Sequence, residues 1–152
     1  MGQVPLNEVP RALETAFADG DPAHLWRVQE STHVELIGRM VHAIAAGRFD
    51  ELRAYFADDI TYEIAVPAAL SWIRQASGVE RVIEAIAANF GMVAEQRTEP
   101  LALVSQGDTV MVMARETGRL KDTGVPYQAL LAQQFTFRDG RLALFRSVNQ
   151  VE

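Results

Sequence analysis

"PYQALLAQQFTFRDGRLALFRSV" runs from Pro126 to Val148, and its reading decides the fold. The run breaks once, at Asp139-Gly140, a pair suited to the two-residue turn of a β-hairpin. Before the turn, Leu131, Gln133, Phe135 and Phe137 alternate with Leu130, Ala132, Gln134 and Thr136. A strand sends successive side chains to opposite faces, so the first set shares one face. Phe135 and Phe137 are too large to leave in water, and that face is therefore the buried one. Gln133 points inward with them. A buried amide without a partner costs roughly 1–3 kcal/mol, so the site must supply one: a ligand oxygen, a water, Arg115 or another inward side chain.

Working outward, "LALVSQGDTVMVMARETGRL" (Leu101 to Leu120) reads as a second hairpin, turned at Gly107-Asp108. Everything after Pro100 reads as strand, and what precedes it is mostly helical. Thr32 and Glu35 have capping-box spacing and open a helix that stops at Gly47, with Ile37, Met40, Val41 and Ile44 as its apolar stripe. Asp50 to Ala57 reads as a short helix. "DDITYEIAV" then switches to strand, Ile60, Tyr62 and Ile64 alternating with Thr61 and Glu63. A loop with Pro67 and Trp72 leads to Gly78 and to the helix "VERVIEAIAANF". Its inner side carries Val79, Val82, Ile83, Ile86 and Phe90. Helices followed by an antiparallel meander predict an α+β domain with the helices on one face of a bent sheet.

Residues 31–152 read as that domain and residues 1–30 as an N-terminal helical extension. Asp21 and Pro22 in "DGDP" divide the extension into two short helices. Leu13, Phe17, Leu25, Trp26 and Val28 predict that it packs over the domain.

Composition excludes several function classes. The chain of 152 residues contains no cysteine, so disulfides, thiolate catalysis and thiolate metal sites are out. Its net charge of −6, with Lys and Arg scattered, offers nucleic acid no basic face. No apolar run reaches the ~18 residues of a membrane span, and no signal core opens the chain. A cytoplasmic location follows as the expectation. His24, His33 and His42 have no acidic partner at ligand spacing, so neither a metal nor another cofactor is expected.

The blocks "AAGRFDELRAYFADDITYEI", "SGVERVIEAIAANF", "GDTVMVMARETGRLKDTGVPY" and "FTFRDGRLALFR", in that order, resemble the nuclear transport factor 2-like superfamily, in its SnoaL-like and ketosteroid-isomerase-like branch. The resemblance implies a cone-shaped, curved antiparallel sheet wrapped around N-terminal helices, the cystatin-like roll. It implies an apolar pocket at one end and a homodimer packed through the sheet, to which the outward Leu130 and Ala132 would contribute. It covers about Ser31 to Gln150 and is specific for fold, not for chemistry. Isomerases, dehydratases, epoxide hydrolases, cyclases and non-enzymatic binders share the fold.

The same resemblance assigns positions. Ile64 stands where isomerase-like members have their general base, Met40 where they have a Tyr, and Gln133 where they have a protonated Asp. None of the three replacements exchanges a proton. Of the Asp-Arg-Asp set of epoxide-hydrolase members only Arg115 is present, with Thr117 and Ser147 at the acidic positions. Cyclase-like members place an acid near the last strand, where Ser147 or Gln150 stands.

Asp58 and Asp59 read as the turn between helix and strand, outside the pocket, rather than as a proton-sharing pair. Arg115 shares a face with Met111, Met113 and Thr117. It reads equally as an inward ligand for an oxyanion and as a strand-end cation reaching solvent, Glu116 or a partner chain. His33, four residues before Ile37, is placed to approach the mouth, and His42 takes the solvated helix face. Gln133 and Arg115 are thus the candidates to polarise a ligand oxygen, with Tyr62 or His33 to move a proton. The expected walls are Met40, Ile64, Trp72 and Met113 on one side. Thr117, Leu131, Phe135, Phe145 and Ser147 complete them. The function expected is binding of a small, mostly apolar molecule, with lyase, isomerase or cyclase-like chemistry on it. The alternative is a non-catalytic ligand-binding or protein-interaction domain.

Overall fold

The computed structural model describes residues 32–66 and 73–151. The N-terminal extension and Trp72 lie outside the described residues, and the expectations made for them stay there.

Helix α1, Thr32–Ala45, buries Ile37, Met40, Ala43 and Ile44. Val41, expected in that stripe, is exposed, and the small Ala43 takes the inner position. The helix ends as its sequence requires. Gly47 sits at φ 73°, where other residues are strained. Its N–H donates to the Ile44 carbonyl at 3.0 Å and that of Arg48 to the Ala43 carbonyl at 2.9 Å, a Schellman stop. A 3-10 turn, Phe49–Ala54, follows in place of the helix expected from Asp50 to Ala57, and strand β1, Phe56–Ala65, begins earlier than expected. The two-residue strand β2, Ala76–Ser77, leads into α2, Val79–Gly91, which buries Val82, Ile83, Ala85 and Ile86.

Four long strands complete the chain: β3 (Val93–Gln106), β4 (Thr109–Leu120), β5 (Pro126–Arg138) and β6 (Arg141–Val151). Strand β3 starts before Pro100, which sequence reading took as its limit. It is an edge strand, and a proline there removes no needed ladder bond; the register also shifts between Pro100 and Ala102. The hairpin turns lie where expected. At the second, both Asp139 (φ 52°) and Gly140 (φ 76°) are left-handed, as a type I′ turn demands.

The described strands form one curved, unclosed sheet in the order β2-β1-β6-β5-β4-β3. It is antiparallel except where β1 runs parallel to β6, a pairing that meander reasoning does not foresee. The fold is α+β, with the helices against the sheet's inner face. One end of the interior is filled solid by Phe56, Met40, Leu52, Ile60, Ile86 and Leu142, all almost fully buried. Each side chain of that size stabilises the fold by roughly 1.5–3 kcal/mol. The other end is open. No helix among the described residues is long and apolar enough to cross a membrane.

Candidate functional site

The open end is a cavity of about 300 Å³ between the inner sheet face and the last turn of α2. That is the lower bound of ordinary small-molecule pockets. It sits where β3 and β5 begin and where β4 and β6 end. Strand pairing decides what it contains. Gln133 pairs with Val112 and Leu131 with Ala114, so the even-numbered residues of β4 share the inner face with the odd-numbered residues of β5. Along β4 the inward row runs Val110, Val112, Ala114, Glu116, Gly118; along β5 it runs Tyr127, Ala129, Leu131, Gln133, Phe135.

That register brings a carboxylate into the cavity. Glu116 Oε1 accepts from Gln96 Nε2 at 2.7 Å, and Oε2 accepts from the Tyr127 hydroxyl at 2.9 Å. Gln96 is aimed by a bulge. The register between β3 and β4 shifts between Ala94 and Arg97, with Glu95 at φ 53°, and Gln96 is turned inward. Tyr127 is aimed by a missing side chain. It pairs with Gly118, and a Cβ there would meet the Tyr127 ring and hydroxyl at 2.8 Å. The ring lies over that backbone, and its hydroxyl reaches Glu116.

A second polar pair hangs under α2. Asn89 holds the Arg74 backbone from both sides, accepting its N–H and donating to its carbonyl at 2.9 Å each, and Nδ2 also donates to the Tyr62 hydroxyl at 3.3 Å. Burial pushes the Tyr62 phenol up to about 12, the Glu116 charge adding to the shift and the Asn89 hydrogen bond opposing it. Burial raises Tyr127 further still, followed by the charge of Glu116 and the hydrogen bond to it. Both phenols keep their protons near neutral pH; Tyr127 donates its own to Glu116, while the Tyr62 hydroxyl accepts from Asn89. The Tyr62 ring meets Phe145 edge-on at 5.1 Å, and Phe145 meets Phe135 at 4.6 Å.

Gln133 lines the cavity, and its amide has no hydrogen-bond partner among the described residues. Its neighbour on β6, Ser147, is buried and donates to Asn149 Oδ1 at 2.5 Å. Tyr62, Ile64, Leu131, Phe145 and Ser147 line the same space. Met40 and Phe135 do not: they belong to the packed core beside it.

Met113 and Thr117 are corrected outright, and of the two readings of Arg115 the inward one falls. They share a face, as expected, but it is the outer one, because the inner row of β4 is the even-numbered set. Arg115 lies between Glu99 of β3 and Leu130 of β5, its Nε buried and without a partner among the described residues. His33 is also away from the cavity. It stacks on Phe137 at 4.4 Å, and its Nε2 is 4.0 Å from Asp108, beside the hairpin turns. Asp58 and Asp59 lie outside the cavity, exposed. They sit inside β1 rather than in a turn, where its register with β6 shifts. Asp59 accepts from Arg138, whose hydrogen bond holds the carboxyl below its usual range. Among the described residues no three side chains of metal-ligating type come together.

Sequence reasoning missed Glu116, Tyr127, Gln96 and Asn89. Tyr127 was within reach of the alternation that gives Leu131 and Gln133. Glu116 needed the β4–β5 register, which the longer loop between those strands hides.

A family model for the SnoaL-like domain matches residues 37–145. No curated protein matches the chain by sequence. Solved structures match it in fold. A provisionally assigned SnoaL-like polyketide cyclase from Jannaschia sp. CCS1 is 19% identical with a TM-score of 0.69, covering 82% of this chain and 90% of its own. An NTF2-like protein from Burkholderia xenovorans LB400 is 22% identical with a TM-score of 0.67, covering 78% and 89%. An LEH-like epoxide hydrolase from M. tuberculosis is 18% identical with a TM-score of 0.62, covering 78% and 83%. At these identities the likeness carries the fold and not the chemistry.

Proposed function

The chain belongs to the SnoaL-like domain family, and from that premise we propose that it binds a small, mostly apolar molecule in the cavity between its sheet and α2. The Gln133 amide carries the reading. It faces the cavity from an apolar row and lacks a partner among the described residues. A polar group so placed is the kind that orients a ligand in an otherwise apolar pocket. The test is occupancy. Native mass spectrometry of the purified protein and calorimetry with small ring compounds should detect binding. Ala129→Phe, which fills the cavity from its wall, should abolish it while circular dichroism stays unchanged. A folded variant with undiminished affinity overturns the reading.

A second reading, catalysis by proton transfer, is favoured by Glu116. Its carboxylate reaches the cavity from a rigid strand and is oriented by two donors, Gln96 and Tyr127. This is the arrangement of a general base. Arg115 and His33 have no part in it. A bound carbon acid should exchange its acidic hydrogen with deuterated solvent, and Glu116→Gln should stop the exchange. Exchange that survives in the variant removes Glu116 from the role.

The outer sheet face supports a homodimer, also as a proposal. Val104 and Met111 are cross-strand partners and 58% and 45% exposed, and Val148, 51% exposed, continues their face across β6. A second copy of the chain would cover these exposed apolar side chains and offer Arg115 Nε a partner.

A further inference from the structure

Glu116 is the one charged side chain among the described residues that line the cavity. None of the described ion pairs involves it: Arg119 pairs with Glu95, Arg146 with Glu63 and Arg53 with Glu80. Both of its hydrogen-bond donors, Gln96 and Tyr127, are neutral. While the cavity holds water, that suffices. A ligand that fills the cavity expels the water, and the charge then faces apolar surface with only neutral dipoles around it. A neutral ligand leaves this cost standing, and an anion adds repulsion. A cation removes both. The walls suit one as well, since the rings of Tyr62, Phe90, Tyr127 and Phe145 line the same space and present faces and edges to an included charge. The net charge of −6 raises the local concentration of cations before any contact is made.

We propose that the molecule held in this cavity is cationic: an ammonium or related amine centre on a small apolar body, the positive group at Glu116 and the body against Ala129, Leu131 and Phe145. This rests on the cavity being a ligand site. It adds the chemical class of the ligand and makes Glu116 the residue that selects it.

Three soluble probes of similar size separate the possibilities: benzylamine, benzyl alcohol and benzoate, titrated by calorimetry at neutral pH. Benzylamine should bind about tenfold or more tightly than benzyl alcohol, and benzoate most weakly. High salt should narrow the difference. Glu116→Gln, which keeps the shape of the site, should erase the preference for the amine over the alcohol. If the alcohol binds and the amine binds no tighter, the cationic assignment falls and the binding site stands. A preference that persists in the variant overturns the assignment equally. If neither amine nor alcohol binds, the site reading falls and this proposal with it. Should the variant fail to fold, the amine-to-alcohol ratio in the parent protein at low and high salt decides alone, and a ratio of one overturns the proposal.

Discussion

At Gln133 the protein keeps an amide in a row otherwise made of Ala129, Leu131 and Phe135, and gives it no partner among the described residues. An amide that served the fold would be paired. Gln133→Leu should therefore leave stability unchanged or slightly raised in chemical denaturation, while ligand affinity measured by calorimetry falls about tenfold. Lost stability with intact binding would assign the amide to the fold. Tyr62 makes a different test, of proximity. Burial pushes its phenol up to about 12, and the charge of Glu116 adds to the shift. The folded protein holds this proton where the unfolded chain has released it. Tyr62 thus contributes stability that is complete below about pH 10 and lost as the pH rises toward 12. In Glu116→Gln, an ultraviolet titration should find both Tyr62 and Tyr127 ionising at lower pH than in the parent, with Tyr62→Phe assigning the signals. Unmoved midpoints would mean that the carboxylate does not face the phenols.

At the scale of elements, β4 and β5 build the polar end of the cavity through one vacancy, the side chain Gly118 lacks. Gly118→Ala would drive a Cβ into the Tyr127 ring, which must then leave Glu116. Crowding of this kind costs roughly 1–3 kcal/mol, and Thr117→Ala next door, exposed on the outer face, should cost almost nothing. Denaturation curves of the two variants, with Tyr127 followed by its titration, check the contrast. The same strands show how far the sequence was legible. In β5 alternation alone places Gln133 and Leu131 correctly, because Phe135 and Phe137 can tolerate only one face. In β4 both faces are apolar: Val110, Val112 and Ala114 against Met111 and Met113. Nothing local chooses between them, and Met113 and Thr117 were expected as walls. The interior takes the smaller residues instead, because they lie opposite bulky partners, Phe135 against Val110 and Leu131 against Ala114. The structure makes Met113, Arg115 and Thr117 the outer set and brings Glu116 inside, which settles between the two readings that Arg115 carried. The helices were legible because their stripes and the Gly47 stop are local. The parallel partner of β1 was not, because nothing local in either strand records it.

For the whole molecule, the outer face sets the state of assembly. If Val104, Met111 and Val148 are covered by a second copy, Val148→Lys should convert a dimer to a monomer in sedimentation or light scattering without unfolding it. A parent protein that is monomeric at high concentration removes the proposal. The β1–β6 pairing acts on a different property, the order of events in time. Strands β3 to β6 join through hairpins and a short loop and can zip as they meet, whereas Phe56 must find Leu142 near the far end of the chain. Contacts between such distant residues form slowly, since the intervening chain must first be closed into a loop. On the ribosome β1 emerges before its neighbour β6 exists, and it waits with an unsatisfied edge until the last hairpin is made. Pulse-labelled hydrogen exchange during refolding should find the amides of β4 and β5 protected before those of β1. Simultaneous protection would mean that α2 and the 3-10 turn hold β1 in place ahead of its partner. The strand that contributes Tyr62 is in this account the last to arrive, so the binding cavity is finished only after β6 has been made.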